Sequence, residues 1–233
     1  MIGRIRIRAA GAAKSSLLQR IRALSFSSSS PLSSTATASS IDYVKLKPGF
    51  QDIAFERKDL VESFDKVLEY YDVSLPKPLR TKIESLVPES VRDDFYFSLL
   101  RSTTGVPPHK DSEILATINI YVKGGGYSSH FYDVKDNVTG SSLQADLHNN
   151  QEDEDEDEAA THYDYDDVIE KSFFKAKDGS AYLLDVTQVH SVEPFNIEND
   201  HSDEKNERLA ITFATAEHSF EDVHQMLKET GNA

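Results

Sequence analysis

The chain has 233 residues, and its 40 acidic residues outnumber 25 Lys and Arg, giving a formal net charge of −15. Such a surface repels phosphate backbones and anionic headgroups, which argues against nucleic acid as a partner. Cysteine is absent, which excludes disulfides, thiolate metal sites and cysteine nucleophiles, and no apolar run approaches the ~18 residues of a membrane helix.

Residues 1–40 hold Arg4, Arg6, Arg8, Lys14, Arg20 and Arg22, no acid, and a Ser-rich stretch. That composition predicts an organelle transit peptide, with mitochondrial import ahead of plastid import; the alternative is a disordered basic tail on a cytoplasmic protein. A helix over 2–22 would gather Ile5, Leu17, Leu18 and Ile21 as apolar surface. The spaced cations leave no secretory apolar core. Residues 41–233 suit one domain.

From Ala54 to Tyr71, apolar residues at 60, 61, 64, 67, 68 and 71 follow the helical period and predict an amphipathic helix. Leu79, Ile83 and Leu86 repeat the pattern in a shorter helix bounded by Pro76, Pro78 and Pro88. Two such helices would cover one sheet.

Strands follow. Phe95 to Val122 reads as a strand, a Gly/Pro turn bearing His109 and Asp111, and a second strand. In the second, Ile114, Ala116, Ile118, Ile120 and Val122 are all apolar, while Leu115, Thr117, Asn119 and Tyr121 make a mixed face. Beyond Gly124-Gly125-Gly126, Tyr127 to Val134 predicts a strand paired with the previous one through a glycine turn. Residues 135–170 lose apolar periodicity and contain seven consecutive acids from Glu152 to Glu158. This predicts a disordered acidic insertion, either a solvated linker or a docking loop for a basic partner. Further strands are expected at Ser172 to Phe174, at Ser180 to Val186 after the turn Lys177-Asp178-Gly179, and from Arg208. A helix from Phe220 to Lys228 closes the chain, with Ser219 and Asp222 spaced as a capping box. Many short strands with helices at both ends favour a β-rich α+β fold, a jelly-roll-like double-stranded β-helix.

His109 and Asp111 are two residues apart, so an extended backbone sends both side chains to one face. Two other His-x-Asp triplets exist, His162-Tyr163-Asp164 at the edge of the acidic run and His201-Ser202-Asp203 in a polar stretch. Only the first lies among strand-like segments with a His and an Arg downstream: His190 in YLLDVTQVHSV and Arg208 at the head of RLAITFATA. Two imidazoles and one carboxylate on one side of an ion are the facial triad of non-haem Fe(II) oxygenases.

The order His-x-Asp, distal His and late-strand Arg, between Phe95 and Ala216, resembles the Fe(II)/2-oxoglutarate-dependent dioxygenase superfamily. The resemblance implies Fe(II) on His109, Asp111 and His190, with 2-oxoglutarate as co-substrate and Arg208 clamping its distal carboxylate. Thr212, on the same strand face as Arg208, would add a hydrogen bond, and Asn119 and Tyr96 would touch the co-substrate from neighbouring strands. The long interval between Asp111 and His190 departs from the pattern, and no Glu follows Gly125-Gly126.

Duller readings stand beside these. His109 suits a surface turn, His190 a loop, and Arg208 a surface bridge to Glu204 or Glu207. His130 is a weaker candidate as a fourth ligand, and Asp185 as an acceptor orienting His190. The expected activity is an oxygenase hydroxylating an unidentified substrate. The alternatives are a catalytically inactive β-helix binding module and a cupin-type metal enzyme that does not use 2-oxoglutarate.

Overall fold

The computed structural model describes residues 6–7, 41–47, 49–50, 68–73, 75–142, 160–195 and 207–233. Within them the chain forms β1 (Arg6–Ile7), β2 (Tyr43–Lys45), β3 (Leu68–Asp72), α1 (Lys77–Glu84), β4 (Phe95–Ser102), β5 (Val106–Asp111), β6 (Ala116–Lys123) and β7 (Tyr127–Val134). Then follow β8 (Ser141–Ser142), β9 (Ala160–His162), β10 (Val168–Lys175), β11 (Ala181–Leu184), β12 (Val189–Pro194), β13 (Arg208–Thr215) and α2 (Phe220–Glu229).

The strands make two sheets, a seven-stranded one in the order β1-β3-β4-β13-β6-β11-β2 and a six-stranded one in the order β10-β7-β12-β5-β9-β8. Every pairing except β1 with β3 is antiparallel. Consecutive strands alternate between the sheets over much of the chain, as β4 to β7 and β10 to β13 do. This is the β-rich double-stranded β-helix that the strand spacing predicts.

The period-2 pattern decides what each face of the larger sheet meets. Leu99 of β4, Ile118 and Ile120 of β6, and Leu209, Ile211 and Phe213 of β13 pack with Leu79 and Ile83 of α1 and with Phe220, Val223 and Leu227 of α2. The opposite face sends Leu100, Tyr121, Tyr182 and Ala210 inward, where they meet Tyr127, Phe131, Phe174 and Val192 of the smaller sheet. Ser219 caps α2 as expected: its hydroxyl accepts from the Asp222 amide, and the Asp222 carboxylate accepts from Ser219 N.

Five expectations change. The end of the proposed helix over 54–71 is the strand β3, antiparallel to β4; backbone pairing overrides the local apolar period there. The remainder of that helix, 54–67, lies outside the described residues. Tyr127 to Val134 is a strand but not the partner of β6, because the glycine stretch crosses between sheets. Gly125 and Gly126 have φ of 64° and 73°, and a Cβ on Gly125 would lie 2.3 Å from the Glu207 carbonyl oxygen, so no side chain fits that crossing.

His109 to Asp111 is the end of β5 rather than a turn, held between β12 and β9. The β5–β12 register is irregular between His190 and Val192, next to Pro107 and Pro108, which have no N–H to give a regular ladder. Of the proposed insertion over 135–170, residues 135–142 and 160–170 are placed and include β8, β9 and the start of β10. The acidic run itself lies outside the described residues. So do residues 1–40 except for β1, whose two residues are strand where a helix is expected.

Candidate metal centre

Three strands of the smaller sheet set a row of imidazoles. His190 of β12 lies opposite His109 of β5, and His109 lies opposite His162 of β9. Directly opposed residues share a face, so the rings stand side by side, with centroids 4.2 Å apart for His109 and His190 and 5.9 Å apart for His109 and His162. Phe131, also opposite His190, belongs to the core between the sheets, which places the row on the inner face. Asp111 returns to that face two residues after His109.

One ligand atom each from His109, Asp111 and His190 lies within 4.8 Å of the others, and His109 Nε2 is 3.6 Å from Asp111 Oδ1. Each histidine is oriented by a carbonyl two residues earlier in the chain. His109 Nδ1 is 2.8 Å from the Pro107 oxygen, and His190 Nδ1 is 3.0 Å from the Gln188 oxygen. A carbonyl only accepts, so each Nδ1 carries the proton and each Nε2 keeps its lone pair. Metal-ligating histidines are commonly fixed in this way.

Burial lowers the pKa of His109 and His190 to about 4; the neighbouring His190 adds to the effect at His109, and the Arg208 charge adds to it at His190. Burial also raises the pKa of Asp111, opposed by His109. The two rings are therefore neutral near pH 7, and the carboxylate sits where only a nearby cation makes its charge favourable. Two neutral imidazoles and one acid, with no thiolate, fit a divalent first-row ion.

The other expected residues lie on the inner face of the larger sheet. Arg208 is 3% exposed, with Nη2 2.8 Å from the Tyr121 hydroxyl and 3.4 Å from Ser129 Oγ, and its guanidinium stands over the Tyr121 ring. Glu207, a proposed partner, points to the other face and pairs with Arg101 at 2.7 Å. Glu204 lies outside the described residues, among which no carboxylate pairs with Arg208. Thr212 is buried, with its hydroxyl 2.5 Å from Ser98 Oγ. Asn119 is buried and accepts a bond from Thr117 at 3.2 Å. Tyr96 is 38% exposed, and its phenol pKa is raised by partial burial and then by the charges of Asp111 and Glu113.

Two weaker candidates belong elsewhere. His130 shares the outer face of the smaller sheet with Ser128 and bonds Ser128 Oγ and Glu170 at 2.7 and 2.6 Å. A residue of opposite strand parity to Phe131 cannot reach an ion among the inner residues. Asp185 accepts from the amide and hydroxyl of Thr187, so the orienting acceptor for His190 is the Gln188 carbonyl. His162 is the residue that sequence reasoning passed over. Its signal was the His-x-Asp triplet itself, obscured by the acidic run before it.

Fold and site together define a double-stranded β-helix protein with a two-histidine, one-carboxylate constellation. No family model matches the sequence, and no curated protein matches it. Solved structures do match by shape. A cupin superfamily protein from Desulfitobacterium hafniense DCB-2 is 9% identical, with 74% of this chain and 98% of that one covered and a TM-score of 0.31. The vicilin from Solanum melongena is 11% identical, over 69% of this chain and 31% of that one, with a TM-score of 0.32. The E. coli protein ycfD is 12% identical, over 64% of this chain and 31% of that one, with a TM-score of 0.28.

Proposed function

We propose that this protein is an Fe(II)- and 2-oxoglutarate-dependent oxygenase that hydroxylates a substrate not identified by its sequence. The observation behind this reading is the joint placement of two oriented imidazoles and Asp111 within 4.8 Å, with Arg208 buried on the facing sheet and no described carboxylate to neutralise it. A buried guanidinium bonded only to hydroxyls is poised for an anionic group.

His109, Asp111 and His190 would hold the iron, and Arg208 the far carboxylate of 2-oxoglutarate. Bound there, the iron and its co-substrate would supply the oxidising power for a C–H bond. The protein's own part is positional. The Pro107 and Gln188 carbonyls fix both rings with Nε2 free to bind, and the buried cluster of Tyr121, Phe131 and Phe174 would limit water in the interior. Succinate formed from labelled 2-oxoglutarate by the Fe(II)-loaded protein, and lost in His109→Ala, tests the reading. No metal uptake by the wild-type protein would overturn it.

One observation favours a second reading, a cupin-type metal enzyme that does not use 2-oxoglutarate. The Tyr121 hydroxyl already occupies Arg208 Nη2 at 2.8 Å. Metal binding without 2-oxoglutarate affinity would select it, while 2-oxoglutarate binding without turnover would select an inactive binding module. The basic, acid-free residues 1–40 support mitochondrial import, which an organelle import assay on the full chain checks.

A further inference from the structure

His162 ends the row of imidazoles and stands outside the converging ligand atoms. It lies opposite His109 in the ladder and stacks on that ring at 27° between planes. Its Nδ1 is buried and, among the described residues, has no hydrogen-bond partner. Buried side-chain nitrogens are nearly always bonded, so an imidazole nitrogen left open on a ring stacked against His109 calls for a partner.

The strand that carries it is short but well fixed. Tyr163 N donates to the Pro108 carbonyl at 2.9 Å, and the Lys110 ammonium stands over the Tyr163 ring at 5.8 Å. A Cβ on Gly140 would lie 2.4 Å from Thr161 Cγ2, so only glycine lets the approach to β9 come so close. These contacts hold β9 against β5, and with it the His162 ring against His109.

His162 does not belong to the group of ligand atoms that converge within 4.8 Å. Its place is one step further along the same face. An ion held by His190, His109 and Asp111 would have its ligand set on this face, so a small ligand taken up beside His109 would enter next to the His162 ring.

We propose that His162 is a positioning residue of this centre, whose Nδ1–H donates a hydrogen bond to an anionic oxygen or nitrogen ligand bound on the ion. The inference rests on the reading of His109, Asp111 and His190 as metal ligands. It assigns the third imidazole to what the ion binds rather than to the ion. A hydrogen bond to a charged acceptor in a dry site discriminates anions from neutral ligands.

The test uses the full chain loaded with Co(II), whose visible bands report coordination, and titrated with azide. Wild-type protein is expected to bind azide saturably. His162→Ala should hold Co(II) within about threefold of wild type, because the ligands are untouched, but bind azide about tenfold more weakly, as loss of one charge-assisted bond implies. His162→Asn, whose carboxamide N–H stands near the place of Nδ1, should recover part of that loss, and a packing role alone would not give this recovery. Unchanged azide affinity in His162→Ala with cobalt retained would overturn this inference alone. A loss of cobalt affinity beyond tenfold in His162→Ala would overturn it too, by making His162 a ligand. No cobalt uptake by the wild-type protein would overturn the metal reading and this inference together.

Discussion

The two sides of the seven-stranded sheet are buried for different purposes. The side under α1 and α2 is aliphatic and phenylalanine-rich, with Ile83, Leu99, Ile118, Leu183, Ile211, Phe213, Val223 and Leu227 wholly inaccessible. The side that faces the smaller sheet is built of tyrosines and buried polar groups, among them Tyr121, Asn119, Arg208 and Thr212. Strands β6 and β13 contribute alternate residues to both. One strand thus supplies apolar packing on one face and residues of the proposed site on the other, and substitutions one residue apart should have separable effects.

The largest effect should come from the smaller sheet, across the interior from that polar side. Asp111→Ala should lower metal affinity by about a hundredfold or more, because the only acid of the triad is lost, while leaving thermal stability unchanged or slightly raised. Metal analysis of the dialysed protein beside its melting curve checks both parts. If Asp111→Ala unfolds the protein, the division between the helix-facing core and the polar interior between the sheets fails.

On the other side, Ile118→Ala should cost about 2–5 kcal/mol by leaving a cavity against the helices, yet keep one full metal site per folded molecule. Denaturant unfolding and metal stoichiometry read the two terms independently. Arg208→Ala tests the polar interior in the same way. Metal affinity should persist, whereas 2-oxoglutarate affinity, measured calorimetrically on the loaded protein, should fall by about ten- to a hundredfold.

Acid sharpens the contrast. The folded-state pKa values of His109 and His190, about 4, lie below that of a free histidine, so the unfolded chain binds more protons between about pH 6.5 and 4. Their contribution to the stability of the metal-free protein is full above that window and is lost as pH falls through it. Asp111, raised by burial, acts in the opposite direction, so Asp111→Asn should steepen the fall of the melting temperature. The smallest effect belongs to the end of the helical layer. Ser219→Ala should remove about 1 kcal/mol by undoing the capping box, with no change at the metal centre.

Much of this division is legible in the residue pattern. Alternation along Ala116 to Val122 and Arg208 to Ala214 separates a helix-facing side from an inward side, and the structure places Ile118, Ile211 and Tyr121 accordingly, whereas Ile114, read as helix-facing, precedes β6 and packs with the inner cluster. Ser219 and Asp222 mark the start of α2 because their bonds are local. His109 and Asp111 share a face for the same reason. Less legible were features set by partners far away in the chain. Residues 68–72 fit a helical period yet pair with β4, and the glycine stretch after β6 suits a hairpin yet crosses between sheets. His162 sits in acidic surroundings that suggested a solvated loop, but pairing with β5 turns its ring inward.

Sequence by itself determined the inventory: which residues were apolar at alternate positions, where a helix was capped, and which short stretch set an imidazole and a carboxylate on the same side. Those are consequences of backbone geometry over a few residues. Only the tertiary structure decided that His190 stands against His109, that His162 extends the row, and that Glu207 pairs with Arg101 and leaves Arg208 to hydroxyls. Such choices depend on strand order and register, which are fixed by the packing of the whole double sheet rather than by any local run of residues.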